Sequence, residues 1–121
     1  MDIFDILFSF KGRISRKQFW IGHAVVFVIM FIALLLIYFS NSNLTSEGFY
    51  SHVRNLSFMA LWPYLAICIK RCHDRDKSGS WVIVSFVPVI GTIWFIFDLG
   101  CLEGTIGENP YGKEPDKRIK I

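Results

Sequence analysis

At 121 residues, 53% hydrophobic and only 19% charged, with a mean hydropathy of +0.43, the chain is more apolar than an average soluble domain, in which about 25% of residues are charged. Twelve Phe and four Trp exclude disorder, three Cys exclude a disulfide scaffold, and the length excludes a multidomain enzyme. The net charge of +3 would suit a nucleic-acid binder, but the basic residues adjoin apolar blocks and read as topology signals.

The first element is a short one. Asp2 to Phe8 alternates acids with Ile3, Phe4, Ile6, Leu7 and Phe8, which predicts a small amphipathic helix lying in the membrane interface within an interfacial segment 1–18. Phe19 to Phe39 follows with 21 residues and no formal charge. At about 1.5 Å per residue it covers the roughly 30 Å hydrocarbon core, so it predicts a transmembrane helix. Ser15 and Gln18 form a capping-box pattern at its start, and Trp20 and Tyr38 mark the two interfaces. A signal peptide would have an apolar region of about 7 to 15 residues and small residues after it. Ser40-Asn41-Ser42-Asn43 is a poor match, and the segment is expected to stay.

The second block, Leu56 to Ile69, is short and contains Pro63. Extended back to Val53, with Arg54 snorkelling outward, it predicts a kinked second span over 53–69. The third block, Trp81 to Phe97, holds Pro88 and Gly91 and reaches Leu102 if Asp98 is tolerated, which predicts a third span over 81–102, bent near Pro88. Residues 103–121 are rich in Gly and Pro and predict a turn-rich, at most loosely folded tail. The expected fold is therefore all-α: one integral membrane domain over 1–121 with three transmembrane helices and a short N-terminal interfacial helix.

Basic residues set the orientation. Lys11, Arg13, Arg16 and Lys17 precede the first block, and Lys70, Arg71, Arg75 and Lys77 fill the second loop. Opposite them, in a three-span chain, stand Arg54 and the tail residues Lys113, Lys117, Arg118 and Lys120. Eight against five places the N-terminus in the cytoplasm. Were block two not to cross, both termini would lie inside.

Four stretches then appear in order: Phe10-Lys11-Gly12-Arg13-Ile14-Ser15-Arg16-Lys17-Gln18-Phe19-Trp20; Lys70-Arg71-Cys72-His73-Asp74 with Ser78-Gly79; Pro88-Val89-Ile90-Gly91; and Gly107-Glu108-Asn109-Pro110-Tyr111-Gly112. With these the chain resembles domain-of-unknown-function family 805, the YhaH-like small bacterial inner-membrane proteins. Departures fall at Cys72, Ser80 and Lys113, where the family usually has Leu, an aromatic residue and Pro, and none touches a charged position of the motifs. The resemblance implies a bacterial inner-membrane protein and implies no activity.

Arg13 and Arg16, three apart, present two guanidinium groups to one side of a helical turn, and their forked donors suit a phosphate or a carboxylate such as Asp74. Together with Lys70, Arg71, His73 and Asp74 they are expected to meet on the cytoplasmic face as a lipid- or anion-binding surface, or else to serve as plain topology anchors. Neighbouring His73 and Asp74 also suggest a general base, but adjacent residues on a helix do not face each other. Arg54 and Asp98 are expected to form a structural ion pair at the outer ends of the second and third spans. His23 reads as an interface residue. Cys68, Cys72 and His73 lack the fourth ligand and the spacing of a zinc site, so no metal and no cofactor are expected. No catalytic motif occurs. The expected role is that of a non-enzymatic membrane component contacting anionic lipid or a protein partner, with no nucleic acid involved. The alternatives are a subunit of an oligomeric channel or transporter and a membrane-embedded enzyme using His73 and Asp74.

Overall fold

A computed structural model of the chain describes residues 2–115. Among these residues the structure is helical throughout, apart from turns and one isolated bridge between Asn109 and Gly112. Helix α1, Ile3–Phe8, is followed by a loop and by α2, Arg16–Ser40. The start of α2 is fixed locally by a reciprocal capping box: the Gln18 amide donates to Ser15 Oγ, and the Ser15 amide donates to Gln18 Oε1. Among the described residues this is the one helix that is, by length and composition, long and apolar enough to cross a membrane.

A short turn, 41–45, leads to α3, Ser46–Asp74, capped by the Thr45 hydroxyl. Pro63 lies inside α3 without ending it. Helices α2 and α3 pack antiparallel, which places Arg16 and Asp74 at one end of the pair and Ser40 and Ser46 at the other.

The expected third span over 81–102 is not one continuous helix. Instead the chain makes a 3-10 helix, Gly79–Phe86, turns, and returns as α4, Ile90–Trp94, continued by a π-helical stretch, Phe95–Cys101. Both ends of this hairpin lie beside the Arg16 end of the pair. Gly79 sits against Ile69, while at the other end Trp20 Nε1 donates to Gly100 O at 3.0 Å and Arg16 Nη1 donates to Cys101 O at 3.0 Å. The reversal is built at Val89, which has φ +65° and ψ −63°, the geometry of a classic γ-turn, with the Ile90 amide donating to Pro88 O at 2.7 Å. It is closed by Gly91, where any Cβ would run into the Val84 and Ser85 carbonyls. Eight residues of 3-10 helix reach about 16 Å, half the depth of a bilayer core.

The core clusters where all these pieces meet. Ile6, Ile14, Phe19, Ile67, Cys68, Cys72 and Leu99 are fully buried there, so α1, the 9–15 loop, both long helices and the hairpin share one packing centre. Residues 103–115, expected to be loosely folded, wrap across this same end through the hydrogen bonds described next.

Candidate functional site: a polar knot at the basic end

Helical spacing puts Arg71 and Asp74, three apart, on one side of the last turn of α3. The loop before α2 swings Arg13 to the same point. Asp74 accepts from Arg13 Nε at 3.0 Å through Oδ1 and from Arg71 Nη1 through Oδ2. All three are almost wholly enclosed.

Each guanidinium then spends its remaining donors on backbone carbonyls. Arg13 donates to Gly107 O at 2.6 Å, to Gly112 O at 3.1 Å and to Thr105 O. Arg71 donates to Leu99 O at 2.6 Å, Leu102 O at 2.5 Å and Ile14 O at 3.2 Å. The Leu99 and Leu102 carbonyls end the returning limb of the hairpin, where the helix has no partners of its own for them, so Arg71 acts as its C-cap. Lys70 does the same for α1, donating to Asp5 O and, at 2.7 Å, to Ile6 O. Burial lowers the Lys70 ammonium to about 8, against a weaker upward pull from Asp5.

The tail is seated on this knot. The Thr105 amide donates to Asp74 O at 2.7 Å, and Gly104 packs so closely on the Asp74 carboxylate that a Cβ would collide with it. His73 stacks on Tyr111 at 4.1 Å with nearly parallel rings, its Nδ1 3.1 Å from Gly12 O, while Asn109 Nδ2 donates to His73 O at 2.8 Å. Burial holds the His73 imidazole below the usual histidine range. Its ring and the Asp74 carboxylate take separate partners, so the two do not form the dyad that a general base requires.

Arg16 stands outside the knot, half exposed, and pairs with Glu103 at 3.3 Å. Between it and Asp74 opens a cavity of about 290 Å³ whose walls include Ser15, Glu103 and Thr105. Of the six residues expected to form an anion-binding surface, Arg13, Arg71 and Asp74 come together, and Lys70, His73 and Arg16 flank them. The donors of Arg13, Lys70 and Arg71 are turned inward onto this chain's own carbonyls.

The expected pair of Arg54 with Asp98 is replaced. Asp98 bonds Lys77 Nζ at 2.8 Å and Arg75 Nη2 at 3.2 Å, because the hairpin returns it to the basic end, whereas Arg54 stands exposed toward the opposite end of α3. The sequence reading missed Arg75 and Lys77 as partners, and it missed Gly104 and Thr105 altogether. A carboxylate with two cations about 20 residues before it was the available signal for a fold-back. No sequence signal marks a carbonyl as the target of an arginine.

Compared with known proteins, residues 7–113 match the family model described as protein of unknown function, DUF805. The chain is 33% identical to the Escherichia coli protein named uncharacterized protein YiiR, over 94% of this chain and 90% of that one. It is 33% identical to inner membrane protein YhaI of Escherichia coli, covering 88% and 86% of the two chains, and 30% identical to inner membrane protein YhaH, covering 88% and 87%. No solved structure matches.

Proposed function

The chain belongs to the DUF805 family of proteins of unknown function, with inner-membrane relatives, and from that premise we propose a small non-enzymatic component of the bacterial inner membrane that crosses it twice. In this reading α2 and the 53–69 portion of α3 span the bilayer. The 79–101 hairpin enters to half depth and leaves on the side from which it came. The basic end is cytoplasmic.

One observation carries this reading. Nine of the ten Lys and Arg in the described residues, namely Lys11, Arg13, Arg16, Lys17, Lys70, Arg71, Arg75, Lys77 and Lys113, gather at one end, and Arg54 alone lies toward the other. That asymmetry is steeper than the eight-to-two division a third crossing would give the same ten residues, and it follows the positive-inside rule. With Arg13, Arg71 and Lys70 consumed internally, contact with anionic lipid falls to the exposed Lys11, Arg16 and Lys17 beside the start of α2. Each such residue contributes about 1 kcal/mol near an anionic surface.

Impermeant maleimide labelling tests it, using single cysteines at Ser46, Ser78 and Ile106 in a chain whose native Cys68, Cys72 and Cys101 are replaced. Ser46 is expected to label in intact cells, and Ser78 and Ile106 only after permeabilisation. External labelling at Ile106 would restore the third crossing and end this proposal. Lys11→Ala with Lys17→Ala is expected to lower phosphatidylglycerol retention in native mass spectra roughly tenfold or more, and unchanged retention would remove the lipid contact.

A further inference from the structure

The tail closes over the basic end without filling it. Between Arg16 and the 103–115 segment remains the cavity of about 290 Å³, near the lower size of small-ligand sites, with Ser15, Thr105, Ile106 and Glu114 in its walls beside Arg16 and Glu103. Its position is that of a lipid headgroup. Arg16 is the first residue of α2, and one turn farther along Trp20, a residue type that settles at the membrane interface, donates to Gly100 O.

Unlike the enclosed knot beneath it, this wall keeps polar groups in reserve. Arg16 gives donors to Cys101 O and to Glu103 Oε1 and has further N–H groups, since a guanidinium carries about five. Ser15 Oγ accepts from the Gln18 amide and keeps its own proton to donate. Thr105 bonds Asp74 and Arg13 through its backbone alone, which leaves its hydroxyl free. Glu114 Oε2 accepts from the Gly107 amide at 3.1 Å, and its Oε1 is open. Glu103 Oε2 is open too, on a side chain 72% exposed. Among the described residues none of these remaining groups has a partner.

Their charges select a ligand. Asp74 meets both Arg13 and Arg71, so the floor is a cation in excess, and Arg16 adds another at the rim. Glu103 and Glu114 bring two carboxylates from the tail. A simple anion would be repelled by the glutamates, and a simple cation by Arg16 and the floor. A molecule with both signs close together answers all of them. Ile106, 83% exposed at the same cavity, supplies an apolar edge that suits an amphiphile rather than a soluble zwitterion.

We propose that the cavity holds the headgroup of a phospholipid with a primary ammonium, the chemistry of phosphatidylethanolamine. The phosphodiester takes the spare Arg16 donors and the Ser15 and Thr105 hydroxyls, the ammonium donates to Glu103 and Glu114, and the glycerol end leaves past Ile106 toward the bilayer. Phosphatidylglycerol has no cation for the glutamates, and the trimethylammonium of phosphatidylcholine has no N–H to give them. The site rests on the two-crossing reading, which sets the tail and the start of α2 on one membrane face, and it adds a zwitterionic lipid to the anionic contacts of Lys11 and Lys17.

The test titrates the full chain in mild detergent with phosphatidylethanolamine, its N-methyl and N,N-dimethyl derivatives, phosphatidylcholine and phosphatidylglycerol, all with the same acyl chains, and counts retained lipid by native mass spectrometry. Retention is expected to fall with each methyl group and to be about tenfold lower for phosphatidylcholine, the effect of one charge-assisted hydrogen bond. Glu103→Gln with Glu114→Gln is expected to lower phosphatidylethanolamine roughly tenfold and to raise phosphatidylglycerol, a reversal that loss of structure would not produce. Thr105→Val is expected to lower both, and Glu47→Gln at the far end to change neither. Equal retention along the methyl series, or a double variant that keeps the preference for the ethanolamine lipid, would overturn the site. Competition by glycerophosphoethanolamine at the concentration of the lipid would overturn it in favour of a soluble zwitterion. A flat methyl series with Ile106 reached only after permeabilisation removes the headgroup site alone, whereas labelling of Ile106 from outside removes the topology on which it rests.

Discussion

From His23 to Leu65 not one residue is buried, although this stretch covers most of α2 and α3; every buried side chain of the described residues lies before it or after it. The basic half of the molecule is packed as a soluble protein is, with Ile6, Phe19, Ile67 and Leu99 in a common core and its enclosed Arg13, Lys70, Arg71 and Asp74 satisfied by one another and by backbone carbonyls. The other half is a bare helical pair whose Phe27, Phe31, Leu36, Phe39, Phe58 and Met59 face outward. An apolar surface of that extent is the kind that lipid or a partner protein covers, and the proposed topology gives it to lipid. One half is held by its own contacts, and the other by the solvent it was written for.

That contrast is breakable. Removing the carboxylate with Asp74→Ala strands two enclosed guanidinium groups and is expected to cost about 3 to 5 kcal/mol. Glu47→Ala, in the first turn of α3 at the opposite end, is expected to stay within about 0.5 kcal/mol. Thermal unfolding of the two variants in detergent reads the difference, and equal losses would erase the distinction between the halves. Gly104→Ala comes next, at about 1 to 3 kcal/mol, because its methyl group must displace Asp74. Gly48→Ala, where the new methyl meets only the ends of the Thr45 and Leu44 side chains, is expected to cost a fraction of that in the same assay.

The smallest effect is a pH slope. Lys70 has its folded-state value lowered to about 8 from an ordinary 10.5, so between those values the unfolded chain holds more protons than the folded one. Stability contributed by this residue therefore rises as pH increases from about 8 toward 10.5, and a neutral amine still has two N–H groups for the Asp5 and Ile6 carbonyls. Unfolding midpoints measured from pH 7.5 to 10.5 are expected to show a shallower rise in Lys70→Met than in the parent. An identical slope would mean that the lysine is not enclosed in solution.

Much of the architecture is legible in the residues. The capping box of Ser15 and Gln18, the uncharged run that becomes α2, and the small amphipathic element expected over Asp2 to Phe8 all follow from local pattern, and the structure forms them as Ile3–Phe8 and as Arg16–Ser40, which starts three residues before the uncharged run. The meeting of Arg13, Arg71 and Asp74 follows from two helix ends sharing one boundary. The hairpin is a different matter. An apolar stretch of 22 residues with Pro88 and Gly91 near its middle satisfies a bent crossing and a fold-back equally well. What decides between them is tertiary: Asp98 against Arg75 and Lys77, and Gly91 against two carbonyls. The engagement of the tail was hidden for a related reason, since Arg13 grips Thr105, Gly107 and Gly112 by backbone oxygens that every residue possesses.

The turn between α2 and α3 bears on how such a chain is made. It consists of Asn41, Ser42, Asn43, Leu44 and Thr45, without a formal charge. Under the proposed topology α2 and α3 enter the bilayer as one helical hairpin, and little polar chain beyond this turn and the first turns of α3 must be moved to the far side. The 79–101 segment, with limbs of half the needed length, demands no second translocation. The chain after residue 101 can therefore stay on the side where α2 began, and the Arg13 grip on Thr105, Gly107 and Gly112 closes only when residue 112 has been synthesised, so that knot locks after both long helices and the hairpin have been made.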